Sequence, residues 1–200
     1  GTPPSPYSGN NFRSIAPTGE NTFYTGGTSS GSPNTGGVWY YDGSAFTQVS
    51  STSGTTNLRN VAVFEGQLYV STGSGSQGIY AVGAGTPTDT GNSLTALVTE
   101  SGMSPYGFVV FDTNGDDTVD RVYIADDRTS VGGGINRWDF NGVAWAKTYS
   151  LLVNTNNGSL SGSAGAGIVG IRGLAGTFEG GIATLHATTT ETTNNRLIVI

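Results

Sequence analysis

One short pattern returns along the whole chain and limits what it can fold into. Asn11-Phe12-Arg13-Ser14-Ile15-Ala16, Asn57-Leu58-Arg59-Asn60-Val61-Ala62 and Gly170-Ile171-Arg172-Gly173-Leu174-Ala175 open alike, each an alternating strand with Arg at one fixed place. A second strand follows each, carrying a polar ring at one position: Phe23-Tyr24-Thr25, Leu68-Tyr69-Val70 and Leu185-His186-Ala187. A further unit begins at Ser104-Pro105-Tyr106-Gly107-Phe108, with Gly107 read in place of the Arg, and has Val122-Tyr123-Ile124 as its second strand. Third strands follow polar, Gly-rich loops at Val38-Trp39-Tyr40, Gly78-Ile79-Tyr80, Ile135-Asn136-Arg137-Trp138 and Arg196-Leu197-Ile198. In two units a hairpin continues through Asp42-Gly43 or Asn141-Gly142, dipeptides that suit a type I′ turn because both of its central residues need positive φ.

Composition removes the competing classes. Glycine contributes 33 of the 200 residues and charged side chains only 11%. Each interior glycine costs a helix roughly 1 kcal/mol relative to alanine, so strands and turns are expected to dominate. Three Trp, nine Tyr and eight Phe supply the buriable area that disordered chains lack. With no Cys and one His, disulfides, thiolate sites and multi-histidine zinc centres are excluded. A net charge of -6 gives no footprint for nucleic acid or an anionic membrane. No stretch approaches the ~18 apolar residues of a spanning helix, and Gly1-Thr2-Pro3-Pro4 lacks the features of a signal peptide. A soluble, processed product without membrane insertion is therefore expected, and the Thr-, Ser- and Asn-rich surface suits an extracellular or cell-surface location.

Four-stranded antiparallel units recurring every ~45–60 residues are the signature of β-propeller blades. The expected fold is all-β: an extended lead-in over 1–10, blades over 11–56, 57–103 and 104–155, and an incomplete fourth over 156–200. Residues 59–87, with Gly66-Gln67-Leu68-Tyr69-Val70-Ser71-Thr72-Gly73 and Gly78-Ile79-Tyr80, resemble a family of secreted, propeller-like repeat proteins that is mostly uncharacterised. That resemblance covers nearly all of the chain and implies fold and export but no reaction. Fewer than four complete blades do not readily close a ring, so the expected partners are other copies of this chain or a second chain, with glycans as a further class. The open Leu197-Ile198-Val199-Ile200 edge invites strand addition, which makes a filament or sheath subunit a second version of the same reading.

The sharpest chemical motif is Asp112-Thr113-Asn114-Gly115-Asp116-Asp117-Thr118-Val119-Asp120. Oxygen side chains at Asp112, Asn114, Asp116 and Asp120, with the Thr118 carbonyl between them, match how a short loop wraps Ca²⁺, which takes 6–8 hard oxygen ligands. The segment resembles the calcium loop of FG-GAP propeller repeats in integrin α subunits, departing from it at Asp117 where that family has Gly. The resemblance implies a structural Ca²⁺. A solvated acidic hairpin is the plainer reading.

Two other groups are candidates for ligand binding. Asp126-Asp127-Arg128 pairs carboxylates beside a guanidinium, suited to acid–base or carbohydrate chemistry or to a self-neutralised turn. Arg13, Arg59 and Arg172 recur at one strand position, where they could gather an anion or tie neighbouring units together. His186 stands in the repeated ring position and Trp39, Phe46, Trp138 and Trp145 in hairpins, so packing explains them better than catalysis or sugar stacking. Gly165–Gly170 matches G-x-G-x-x-G without the βαβ context a dinucleotide site needs, and Asn157-Gly158-Ser159 is a glycosylation sequon. A structural or adhesion module is the leading expectation, and a calcium-dependent propeller hydrolase or lyase the alternative.

Overall fold

Short β-branched and aromatic runs separated by glycine turns leave the backbone to pair with itself locally, strand to next strand. A computed structural model describes residues 5–29, 33–50, 57–130, 132–154, 160–161, 168–193 and 195–200. Among these residues there are seventeen strands and no helix. The Asn157 sequon and Gly165–Gly167 lie outside the described residues.

The chain divides into two compact units, Gly1–Ser101 and Gly102–Ile200, each holding two sheets. The first sheet runs β1 (Phe12–Pro17), β2 (Phe23–Gly27), β3 (Gly37–Tyr41), β4 (Phe46–Ser50) in that spatial order. The second is β5 (Leu58–Phe64), β6 (Gln67–Thr72), β7 (Gly78–Val82), β8 (Leu94–Thr99). The third is β9 (Pro105–Phe111), β10 (Arg121–Asp126), β11 (Gly134–Phe140), β12 (Trp145–Asn154), with two-residue strands β13 (Leu160–Ser161) and β14 (Ile168–Val169) pairing onto β12. The fourth has β15 (Ile171–Glu179), β16 (Ile182–Thr189) and β17 (Leu197–Val199). All pairings are antiparallel, and no sheet closes on itself.

The recurring arginine marks a β-bulge. Phe12 pairs with Gly27 and Ser14 with Gly26, so Arg13 is an extra residue; Arg59 and Arg172 occupy the same place between Leu58/Asn60 and Ile171/Gly173. In the third sheet Pro105 pairs with Asp126 and Phe108 with Ile124, which puts Tyr106, not Gly107, at that position. A bulge shifts side-chain alternation by one, so residues three apart point to the same side. Phe12 and Ile15, or Leu58 and Val61, therefore share one face, here called the front; the polar-ring residues lie on the back.

Each unit buries a back against a front. In the first unit Ala16, Tyr24, Val38 and Val49 from the back of the first sheet meet Leu58, Val61, Leu68, Val70, Tyr80 and Val82 from the front of the second. Leu58, Leu68, Val38 and Val70 are fully buried, each worth ~1.5–3 kcal/mol relative to exposure. In the second unit the back of the third sheet meets the front of the fourth: Phe111 stacks on Phe178 at 5.7 Å between centroids, and Ile171, Leu185 and Ala187 are buried.

Turn chemistry departs from the sequence reading at one point. Positive φ at both central residues occurs at Glu65-Gly66 (48° and 74°) and Gly180-Gly181 (57° and 83°), joining β5 to β6 and β15 to β16 in the I′ manner. Asp42-Gly43 and Asn141-Gly142 instead have positive φ only at the glycine. The Asp42 and Asn141 side-chain oxygens accept the N–H groups two and three residues on, which fixes a turn with glycine as its first central residue, the II′ pattern.

Gly107 measures how closely the faces meet. A Cβ there would lie 2.7 Å from the Arg172 carbonyl oxygen and the Leu174 nitrogen, both backbone atoms of the fourth sheet. Gly107→Ala is expected to destabilise the second unit by ~1–3 kcal/mol, read as a lower urea midpoint. An unchanged midpoint would mean that the two sheets do not pack this tightly.

Candidate functional site

The acidic loop joins β9 to β10, the hairpin position that a two-residue turn fills in the second and fourth sheets. Its oxygens face its own amides. Asp112 accepts from Gly115 N (2.7 Å), Asp117 N (2.8 Å) and Asn114 N (3.1 Å). Asn114 Oδ1 accepts from Asp116 N at 2.9 Å, and Asp116 Oδ1 from Thr118 N at 2.9 Å. Partial desolvation opposes the charge on Asp112, but the converging N–H groups outweigh it and hold the carboxyl below its ordinary range. Asp117 sits at φ 62°, in the left-handed conformation that a Gly at this place would adopt freely. The Asp120 carboxylate turns the other way, accepting the Thr113 hydroxyl at 2.8 Å and Thr113 N at 3.0 Å. Among the described residues no three carboxylate or imidazole groups form a cluster that could hold a metal ion by themselves. A cation would thus need the amide oxygen of Asn114 and backbone carbonyls beside Asp112 and Asp116.

Asp126 and Asp127 are neighbours in sequence with separate surroundings. Asp126 is fully buried; Oδ1 accepts Arg128 Nε (2.8 Å) and N (3.1 Å), and Oδ2 accepts Arg128 Nη2 (2.8 Å) and Ser104 N (3.1 Å). Arg128 also donates to the Gly132 carbonyl at 2.9 Å, closing the β10–β11 loop. Asp127 Oδ2 accepts Arg172 Nη2 at 3.0 Å and Nε at 3.1 Å, and the Arg172 guanidinium lies 4.8 Å over the Tyr106 ring. One bulge residue of the fourth sheet is thereby tied to the other bulge residue of the third. Arg59 packs over Gly73 of its own sheet, and Arg13 is exposed. The three arginines share a strand position and have three different environments.

A charge cluster absent from the sequence reading lies on the back of the third sheet. Asp139 takes Arg121 Nε and Arg137 Nε at 2.7 Å each and the Thr148 hydroxyl at 2.7 Å. Arg121 lies over Phe178 and Arg137 over Tyr149. Alternation along β10, β11 and β12 is the signal that could have found it, since Arg121, Arg137 and Asp139 fall on one face once the register is known.

One concavity is apolar. A groove of about 380 Å³ on the front of the first sheet is lined by Pro6, Tyr7, Phe12, Ile15, Phe23 and Phe46 with Thr25. Tyr7 forms its floor, its hydroxyl 2.6 Å from Thr25 Oγ1, and burial pushes its phenol pKa well up. Phe46, Tyr41 and Phe23 stack in series at 4.8 and 5.0 Å. Trp39 and Trp138 are buried, Trp145 rests on Phe140, and His186 is exposed on the back of the fourth sheet.

No family model and no curated protein matches this sequence.

Burial opposes the Asp139 charge, but hydrogen bonds from Arg137, Thr148 and Arg121 outweigh it and hold its pKa at about 2. Its folded value lies below the unfolded value of ~3.9, so its contribution is present above that pH and is lost as pH falls through about 2. The urea midpoint is expected to fall between about pH 5 and pH 2, less steeply in Asp139→Asn. Equal slopes would contradict the assignment.

Proposed function

We propose that this chain is a non-catalytic interaction module of propeller type, working outside the cell or at its surface by associating with protein, with glycan or with copies of itself, and stiffened by Ca²⁺ in the Asp112–Asp120 loop. The observation that carries this reading is where polar and apolar groups sit. Asp126, Asp127, Arg128 and Arg172 are engaged by each other and by backbone, while an open apolar groove occupies the front of the first sheet. A hydrolase or lyase would need charged groups converging on a cleft.

Four antiparallel sheets with one shared bulge, stacked back to front within each unit, support the propeller reading. The groove favours a protein surface over a sugar, because it offers rings and methyl groups but scarcely any polar atom to bond hydroxyls. Calcium is supported by the oxygen-rich spacing of Asp112, Asn114, Asp116 and Thr118 and by the left-handed Asp117, whereas Asp120 would have to leave Thr113 to join them.

Incubated with polysaccharides, the purified chain is expected to bind or self-associate without releasing reducing ends or unsaturated sugars. Chelator-sensitive release of either product would overturn the reading. Millimolar Ca²⁺ is expected to raise the melting temperature of the wild type and not of Asp112→Ala. An equal response in both would remove calcium from this loop.

A further inference from the structure

Register equivalence shows which faces of this chain are built to be covered. Phe12 stands where Leu58 and Ile171 stand in their sheets, and Ile15 where Val61 stands. Leu58 and Ile171 are 0% exposed and Val61 2%, each under the back of the sheet that precedes it; Phe12 is 57% exposed and Ile15 53%. The back of the fourth sheet shows the converse. Leu197 and Val199 pair with Thr188 and His186 as Val38 and Tyr40 pair with Gly26 and Tyr24. Val38 is 0% exposed against the second sheet, whereas Leu197 is 70% exposed and Val199 57%. Of the eight large apolar side chains exposed among the described residues, six lie on these two faces: Phe12, Ile15 and Phe46 on the front of the first sheet, Ile182, Leu197 and Val199 on the back of the fourth.

We infer that the front of the first sheet is a docking site for the back of the fourth sheet of a second copy of this chain, a head-to-tail contact that continues by one step the back-to-front interface already made inside each unit. The inference rests on the reading of the chain as an interaction module and names its partner. Two features fix the occupant. Inside each unit a front takes a back, and the exposed back carries branched aliphatic side chains that suit an aromatic groove of about 380 Å³. The contact is heterologous, so a repeated rotation either closes a ring or runs on as a filament. No charged side chain lines the groove, and association should therefore persist or strengthen in molar salt.

The test is sedimentation velocity over a concentration series, with one variant for each face. Wild type is expected to associate with rising concentration. Ile15→Glu and Leu197→Glu are each expected to weaken association at least tenfold, while Val143→Glu, at a residue 88% exposed elsewhere, leaves it unchanged. All three sites are open to solvent, and matching melting temperatures will show that the variants fold. A mixture of Ile15→Glu and Leu197→Glu should stop at a 1:1 dimer, because it holds one intact front and one intact back. A wild type that stays monomeric at the highest attainable concentration overturns the inference, as does a mixture that fails to dimerise or a single variant that still self-associates like wild type, the last meaning front-to-front or back-to-back pairing. Either result leaves the broader reading standing, since that reading falls only with the detection of turnover.

Discussion

The bulge at the start of each sheet is the constraint on which the rest depends. An antiparallel strand places alternate residues on opposite faces, so Phe12 and Ile15 in a regular β1 would point to opposite sides. One extra residue, Arg13, puts them on the same side, and Arg59 and Arg172 do the same for Leu58 with Val61 and Ile171 with Leu174. Within each unit, β5 and β15 thereby present an apolar front to the sheet before them. The bulge residue itself leaves the ladder, which frees a long cationic side chain for contacts beyond its own strand. In the fourth sheet that contact is an ion pair to Asp127 and a stack on Tyr106. Arg172 is more than half exposed, so the pair adds little to stability and serves mainly to fix how the two sheets lie.

Close approach of the faces is paid for in side-chain volume. Gly26 and Gly107 occupy neighbouring positions on the backs of the first and third sheets, and each lies against the first strand of the next sheet, at Val61 and Leu174. Polar groups are accommodated at the margins of these contacts. Asp126 is fully buried yet saturated by Arg128 and Ser104, as a buried carboxylate must be, and Asp139 is held among two arginines and a threonine.

Much of the fold was legible because it depends on local periodicity. The repeated opening, the polar ring at Tyr24, Tyr69, Tyr123 and His186, and the third strands all fall in register across the four sheets. Two positions depart from the sequence reading. Residue spacing sets Gly107 beside the arginines, whereas strand pairing puts Tyr106 there. Asp42-Gly43 looked like a I′ turn because the dipeptide favours it, but the aspartate side chain captured the next amides and shifted the turn by one residue. The Asp139 cluster and the apolar groove were not legible at all. Both depend on which face a residue takes and on what covers that face, and neither is a property of a short window of sequence.

Back-to-front packing is the central claim, and it can be tested without perturbing anything else because the chain contains no cysteine. A Cβ placed at Gly26 would lie 3.4 Å from the Val61 Cβ, near the separation at which a disulfide forms. The measurement is the oxidation of a doubly substituted chain, Gly26→Cys with Val61→Cys, followed by peptide mapping of the monomer. Back-to-front packing predicts a near-quantitative intramolecular bond between the first and second sheets, while free thiols or cross-links only between chains would contradict it.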